Sequence, residues 1–203
     1  MSEQKQGSAQ KILIAARDEF AEYGLAGARV DRIARRAEVN KAMIYYHYGS
    51  KDELYQAVIR EHLGRIGEYA ANQYANFTNI ETLLANIAKY MHTMFCESRS
   101  FVPIFLREAA SGGERIIREF NAALTDKGLT KVLRSFIDNG KAQGQFRDID
   151  TVQAIVSFIG MNMFYILMST TINAVWEIDN EEAFRAQRQK EVVDLFLYGL
   201  KKR

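Results

Sequence analysis

The chain has 203 residues and 23.2 kDa, 48% hydrophobic and 26% charged, which is too apolar for disorder and long enough to bury a sizeable core. Lys plus Arg number 27 against 25 Asp plus Glu, a net charge of +2, so any affinity for nucleic acid must come from where charges sit, not from how many there are. One cysteine, Cys96, excludes an intrachain disulfide and a thiolate metal cluster, and the polar stretch Met1 to Gln10 lacks the apolar core of a signal peptide; the expected compartment is the cytoplasm.

Ile12, Ala16, Phe20 and Tyr23 share one face of a helix from about Ser8, which Gly24 ends as a C-cap. Val30, Ile33, Ala34 and Ala37 repeat the pattern over two turns, and Asn40 is the natural N-cap of a third short helix at about Lys41 to His47. Ser50 and Glu53 have capping-box spacing, opening a long amphipathic helix through Leu54, Ala57, Val58 and Ile66. Thr78 and Glu81 repeat that signal before Ile80, Leu83, Leu84, Ile87, Met91 and Met94. Further helices are expected at about 101 to 110, 114 to 142, 150 to 176 and 181 to 201. The expectation is an all-α fold of about nine helices, with no alternating strand pattern of useful length.

Three helices of this size, the last two joined by a tight turn at Glu38-Val39, have the proportions of a helix-turn-helix unit. Between Arg29 and Lys51, Arg29, Arg32, Arg35, Arg36, Lys41 and Lys51 oppose Asp31 and Glu38, which leaves +4 locally in a chain whose total is +2. Such a patch attracts phosphates. On the reader helix, Ile44 is the buried position, and Lys41, Ala42, Met43, Tyr45 and Tyr46 lie on or beside the outer face. Lysine donates to guanine, small or apolar groups pack on thymine methyls, and tyrosine hydroxyls and His47 donate to phosphates. Tyr48, four residues after Ile44, belongs to the packing side.

The run Ile12-Leu13, Ala15-Ala16, Phe20, Gly24, Ile33-Ala34, Ala37, Val39, Lys41, Tyr45, Gly49-Ser50-Lys51 and Leu54 resembles the DNA-binding domain of the TetR family of transcriptional regulators. It covers about a fifth of the chain. The resemblance implies a DNA-binding domain at 1–50 and a helical ligand-binding and dimerisation domain at 51–203. It implies base-edge or close-approach roles for Lys41, Ala42, Met43 and Tyr45, and phosphate contacts from Tyr46, His47 and Lys51. The sequence departs from the family pattern at Ala28-Arg29, where a capping Thr or Ser is usual, and Arg29 is expected to supply the phosphate contact by charge. It departs again at Glu38 and Ala42, where glycine is common.

Beyond Lys51 the chain is rich in Met, Phe and Tyr. The resemblance implies a small-molecule pocket here, with His62, Tyr69, Tyr90, Met94, Phe95, Arg107, Met161, Asn162 and Tyr165 as candidate lining residues. No cofactor is expected. His62 and His92 do not make a metal site, because His92 with Cys96 leaves zinc two ligands short. The uncharged run Thr151 to Trp176 is long enough to cross a bilayer, but eight of its 26 residues are polar, so burial against a second subunit is the better expectation. In the family the last two helices form the dimer interface, which assigns Phe164, Met168, Val193, Phe196, Leu197 and Leu200 to dimerisation. No hydrolase elbow, zinc-protease motif, phosphate loop or dinucleotide fingerprint is present, so no enzyme is expected and no catalytic residue is assigned. The expected protein is a homodimeric, ligand-responsive regulator, a repressor released by a small, largely apolar effector from a palindromic double-stranded DNA operator, without membrane association. The alternative is a helical adaptor that binds protein and not DNA.

Overall fold

The computed structural model describes residues 2–76, 79–97, 100–122 and 129–202. Among them are ten helices: α1 (Ser2–Gly27), α2 (Val30–Arg36), α3 (Lys41–Tyr48), α4 (Lys51–Asn76), α5 (Ile80–Glu97), α6 (Phe101–Ala110), α7 (Glu114–Phe120), α8 (Leu129–Ala142), α9 (Thr151–Val175) and α10 (Glu181–Leu200). The count exceeds the expected nine because 114–142 is not one helix.

The local signals act as capping chemistry predicts. Asn40 accepts the Ala42 N–H at 3.0 Å and Ser50 Oγ accepts the Glu53 N–H at 3.1 Å, each satisfying an otherwise orphaned amide. Thr78 lies outside the described residues, and the cap of α5 is Asn79, whose Oδ1 accepts the Thr82 N–H at 2.8 Å. Gly24, at φ 66°, breaks α1 before its last turn. Glu38 takes φ 54° between α2 and α3, a left-handed conformation costly for a side chain with a Cβ.

The chain forms two compact units. The first comprises Met1–Arg65 and Ser98–Ala122, the second Ile66–Glu97 and Ala123–Arg203. In the first, Ile12, Phe20, Ile33, Ile44, Leu54, Ile59 and Leu63 are fully buried, each contributing about 1.5–3 kcal/mol. Phe20 meets Tyr55 edge-on at 4.9 Å. Helices α6 and α7 join this unit through Phe101 and Ile104 and through ion pairs of Arg115 with Asp52 (2.9 Å) and of Arg60 with Glu119 (3.1 Å).

In the second unit, Leu84 and Ala88 of α5, Leu133 and Ile137 of α8, Ala154 and Phe158 of α9, and Val192, Val193, Phe196 and Leu200 of α10 make one core. The loop after α8 pairs with the chain end through the bridge Phe146 to Lys201. Gly140 leaves room for the Phe146 ring, which a methyl group there would overlap.

Candidate functional site

Helices α1 and α2 are joined by one buried acid. Glu19 is 0% exposed and accepts the Arg29 backbone N–H at 2.9 Å and Arg32 Nε at 2.6 Å, with Arg36 at 3.8 Å. Burial alone would push its carboxyl up, but the Arg32 hydrogen bond, the Arg29 amide and both guanidinium charges hold it below 4.5. Glu19 thus serves the α2 N-terminus, where Arg29 itself makes no side-chain cap. The sequence reading did not single it out. Its signal is a charged residue on the apolar face between Ala16 and Phe20.

The predicted reader residues divide into two groups. Arg29, Lys41, Ala42, Tyr45 and Tyr46 are exposed, Tyr46 to 64%, so the outer face of α3 carries two phenols with no core to fill. Lys41 pairs with the exposed Asp31 at 2.8 Å, which raises the lysine and lowers the aspartate; such a surface pair is weak and exchanges readily for a phosphate. The others are already engaged. Met43 is half-buried, His47 Nε2 lies 3.1 Å from Ser8 Oγ, and Lys51 Nζ donates to the Ala28 carbonyl at 3.2 Å. Tyr48 donates to the Ala9 carbonyl at 2.9 Å, on the packing side as expected.

The candidate ligand residues are divided between the two units. His62 and Arg107 belong to the first unit. His62 stacks on Phe101 at 3.7 Å, and burial, followed by the charges of Arg65 and Arg17, pushes its pKa down to about 3. Arg107 donates to the carbonyls of Phe20 (3.1 Å), Ala21 (2.6 Å) and Glu22 (3.4 Å), binding α6 to α1 where Gly24 ends it. In the second unit Tyr69 stacks on Tyr90 at 3.6 Å, and Phe95 is buried. The side chain of Met94 lies outside the described part.

Met161, Asn162 and Tyr165 lie along one stretch of α9, and side chains of α5 and α10 approach Tyr165 there. Tyr165 donates to Asn173 Oδ1 at 3.0 Å, its ring lies 5.7 Å from His92 of α5, and the guanidinium of Arg188 from α10 sits 5.4 Å over it. Arg188 Nη2 donates to the Met161 carbonyl at 2.7 Å. Burial, then the charges of Arg188 and Arg185, push His92 down to about 4, so its imidazole is neutral at pH 7. An open groove of about 860 Å³ elsewhere in this unit is lined by Ile80, Phe136, Phe146, Leu195 and Tyr198 among others, and none of the nine candidates borders it.

Of the residues assigned to dimerisation, Phe164 (62%) and Met168 are exposed. Val193, Phe196 and Leu200 are buried in the protomer's own core, and Leu197 packs against it. The exposed apolar residues of α10 are instead Leu195 and Tyr198, and those of α9 and its end include Val156, Ile159, Val175 and Trp176. By length and composition α9 would also cross a membrane.

A family model described as bacterial regulatory proteins, tetR family, matches residues 12–58, and one described as Tetracyclin repressor-like, C-terminal domain, matches 81–195. The chain belongs to the TetR family, and is a DNA-binding transcriptional regulator, not an enzyme. It is 26% identical over 203 residues to the HTH-type transcriptional repressor NicS of Pseudomonas putida, spanning 99% of this chain and 96% of that one. It is 27% identical over 196 residues to the HTH-type transcriptional regulator RutR of Escherichia coli, spanning 95% and 90%. The solved structure of the fatty acid degradation regulator FadR from Bacillus halodurans has the same fold, with a TM-score of 0.72 over 97% of both chains at 22% identity.

Proposed function

We propose that this regulator is a cytoplasmic homodimeric repressor that leaves a palindromic operator when a small, largely apolar molecule binds its larger domain. The division is functional: residues 1–50 read DNA and residues 51–203 sense and dimerise. The observation that carries the reading is the set of exposed apolar residues on α9 and its end, from Val156 to Val175 and Trp176, with Leu195 and Tyr198 exposed on α10. An apolar set of this size is rare on a monomer. We assign it to a second copy and not to lipid, because the opposite face of α9 is buried in the protomer's own core. Phe164 and Met168 keep their assigned role, and Leu195 and Tyr198 replace the buried Val193, Phe196 and Leu200.

Two-fold symmetry presents two α3 helices to successive major grooves, hence a palindrome. Tyr45 and Tyr46 are the outward reader residues, with Lys41 released from Asp31 on binding and Arg29 at the α2 N-terminus set toward phosphate. Ala42 allows close backbone approach. Met43, His47 and Lys51 support the helix, and their DNA contacts are secondary. Ligand and operator favour different spacings of the two readers, so each weakens the other by the same factor. Helix α4, which contributes residues to both units, is the lever. The name of NicS supports repression over activation.

Sedimentation of wild type and of Phe164→Glu with Trp176→Glu tests the carrying observation. The expected result is a dimer for the first and a folded monomer with weak DNA binding for the second. A wild-type monomer, or a variant that still dimerises, would overturn the assignment.

A further inference from the structure

Helices α5, α9 and α10 carry polar side chains whose hydrogen bonding among the described residues is incomplete. Asn162 is 1% exposed and donates to the Phe158 carbonyl, but its Oδ1 has no partner. Asn173, 9% exposed, accepts from Tyr165 and leaves Nδ2 unused. His92, 3% exposed, has a partner on neither ring nitrogen, and the buried Nε of Arg188 has none either. Buried polar groups are nearly always paired, and a core residue of similar size would avoid the desolvation cost of each. Three buried side chains and the buried Nε of the half-buried Arg188 thus come from three helices, with His92, Asn173 and Arg188 all against the Tyr165 side chain.

We propose that this cluster is the effector site and that it takes a small organic monocarboxylate with an apolar, ring-sized body, the carboxylate set against Arg188, Asn173 and His92. The inference rests on the ligand-responsive reading above and names the ligand class for it.

Charge selects the anion. Arg188 carries a full positive charge, yet its partners among the described residues are the Met161 carbonyl and the Tyr165 face, with no carboxylate in ion-pair reach. Arg188 is half-buried, so an anion gains a direct pairing with it that a neutral ligand does not offer, and a cation is repelled. The free groups agree. Arg188 Nε, Asn173 Nδ2 and one nitrogen of the neutral His92 are donors, which a carboxylate satisfies together. Asn162 Oδ1 remains to accept from a hydroxyl or ring N–H on the ligand body. A phosphate dianion would need a second uncommitted cation, and Arg185 already has an interaction of its own. Phe184 packs on the Tyr165 ring at 5.3 Å, so the polar groups sit beside an aromatic pair that an apolar body can contact.

Thermal shift on the full-length protein tests this with benzoate, phenylacetate and octanoate, each beside its primary amide, on wild type, Arg188→Lys and Arg188→Met. At a hundredfold excess over Kd, at least one acid should raise Tm by about 5 °C or more, and its amide should not. Arg188→Met should lose the response, and Arg188→Lys, which keeps the charge and controls for folding, should keep part of it. Three inert acids, amides equal to their acids, or an unchanged response in Arg188→Met would each overturn the proposal. A mobility shift on operator DNA separates the two levels. Release by an amide but by no acid keeps the ligand-responsive reading and removes the carboxylate class. An Arg188-dependent thermal shift without DNA release keeps the binding site and removes its regulatory role.

Discussion

The two units each hold a buried polar cluster, and they are built differently. In the first, one acid, Glu19, collects an amide and a guanidinium group on Oε1, while its buried Oε2 has no hydrogen bond and only the Arg36 charge at 3.8 Å; the contrast is one of degree, and the ion pairs fasten α2 to α1. In the second, Asn162, Asn173 and Arg188 each make one hydrogen bond, yet Asn162 Oδ1, Asn173 Nδ2, Arg188 Nε and both ring nitrogens of His92 meet no partner among the described residues. A cluster whose members largely satisfy one another specifies a fold. A cluster that stays largely unsatisfied sacrifices stability for something that must arrive from outside.

That contrast can be broken by experiment, and pH has the largest expected effect. His62 and His92 titrate near 3 and near 4 in the folded chain and near 6.5 when unfolded, so the unfolded state takes up protons first. Their contribution is whole above pH 6.5 and is lost as pH falls toward 4, on the order of a few kcal/mol. Urea unfolding across pH 7 to 4 should show the fall, and His92→Asn should lessen it, leaving the part due to His62. Glu19, held below 4.5, adds a loss of the same sign only at lower pH. At neutral pH, Glu19→Gln should destabilise the protein by about 2 kcal/mol, because charge-assisted bonds to Arg32 become neutral ones. A loss within error would show the first cluster to be dispensable.

The second cluster should respond with the other sign. Asn162→Leu removes a buried acceptor that has no partner and should stabilise the unliganded protein by about 1 kcal/mol in the same assay while weakening effector binding. Destabilisation would place Asn162 among the structural residues. The smallest effect belongs to Glu38→Gly, which relieves the left-handed turn between α2 and α3 and should add about 0.5 kcal/mol, with operator affinity unchanged.

The reader unit was legible in the sequence because its signals are local: Asn40 two residues before the amide it caps, Ser50 three before Glu53, Gly24 at the end of an apolar face. The partners of long side chains were not legible. Arg107 looked like a ligand group and proves to bind carbonyls more than eighty residues earlier in the chain, and Glu19 went unnoticed. Periodicity also misdirected the interface assignment on α10. The i, i+3, i+4 face of Val193, Phe196 and Leu200 is the most regular in that helix because the protomer buries it itself, and the outward residues Leu195 and Tyr198 are spaced too sparsely to stand out. Met161, Asn162 and Tyr165 were singled out because they lie on one uncharged helix; His92 and Arg188 come to Tyr165 from two others.

The central claim is that two copies of α3 read a two-fold DNA element, and selection of bound sequences from a random pool, followed by footprinting, measures it most directly. The account predicts an inverted repeat whose half-sites are about 34–36 Å apart or a multiple of that, with protection lost in Lys41→Ala combined with Tyr46→Phe. Enrichment of sequences without an inverted repeat, or none at low salt, would contradict it.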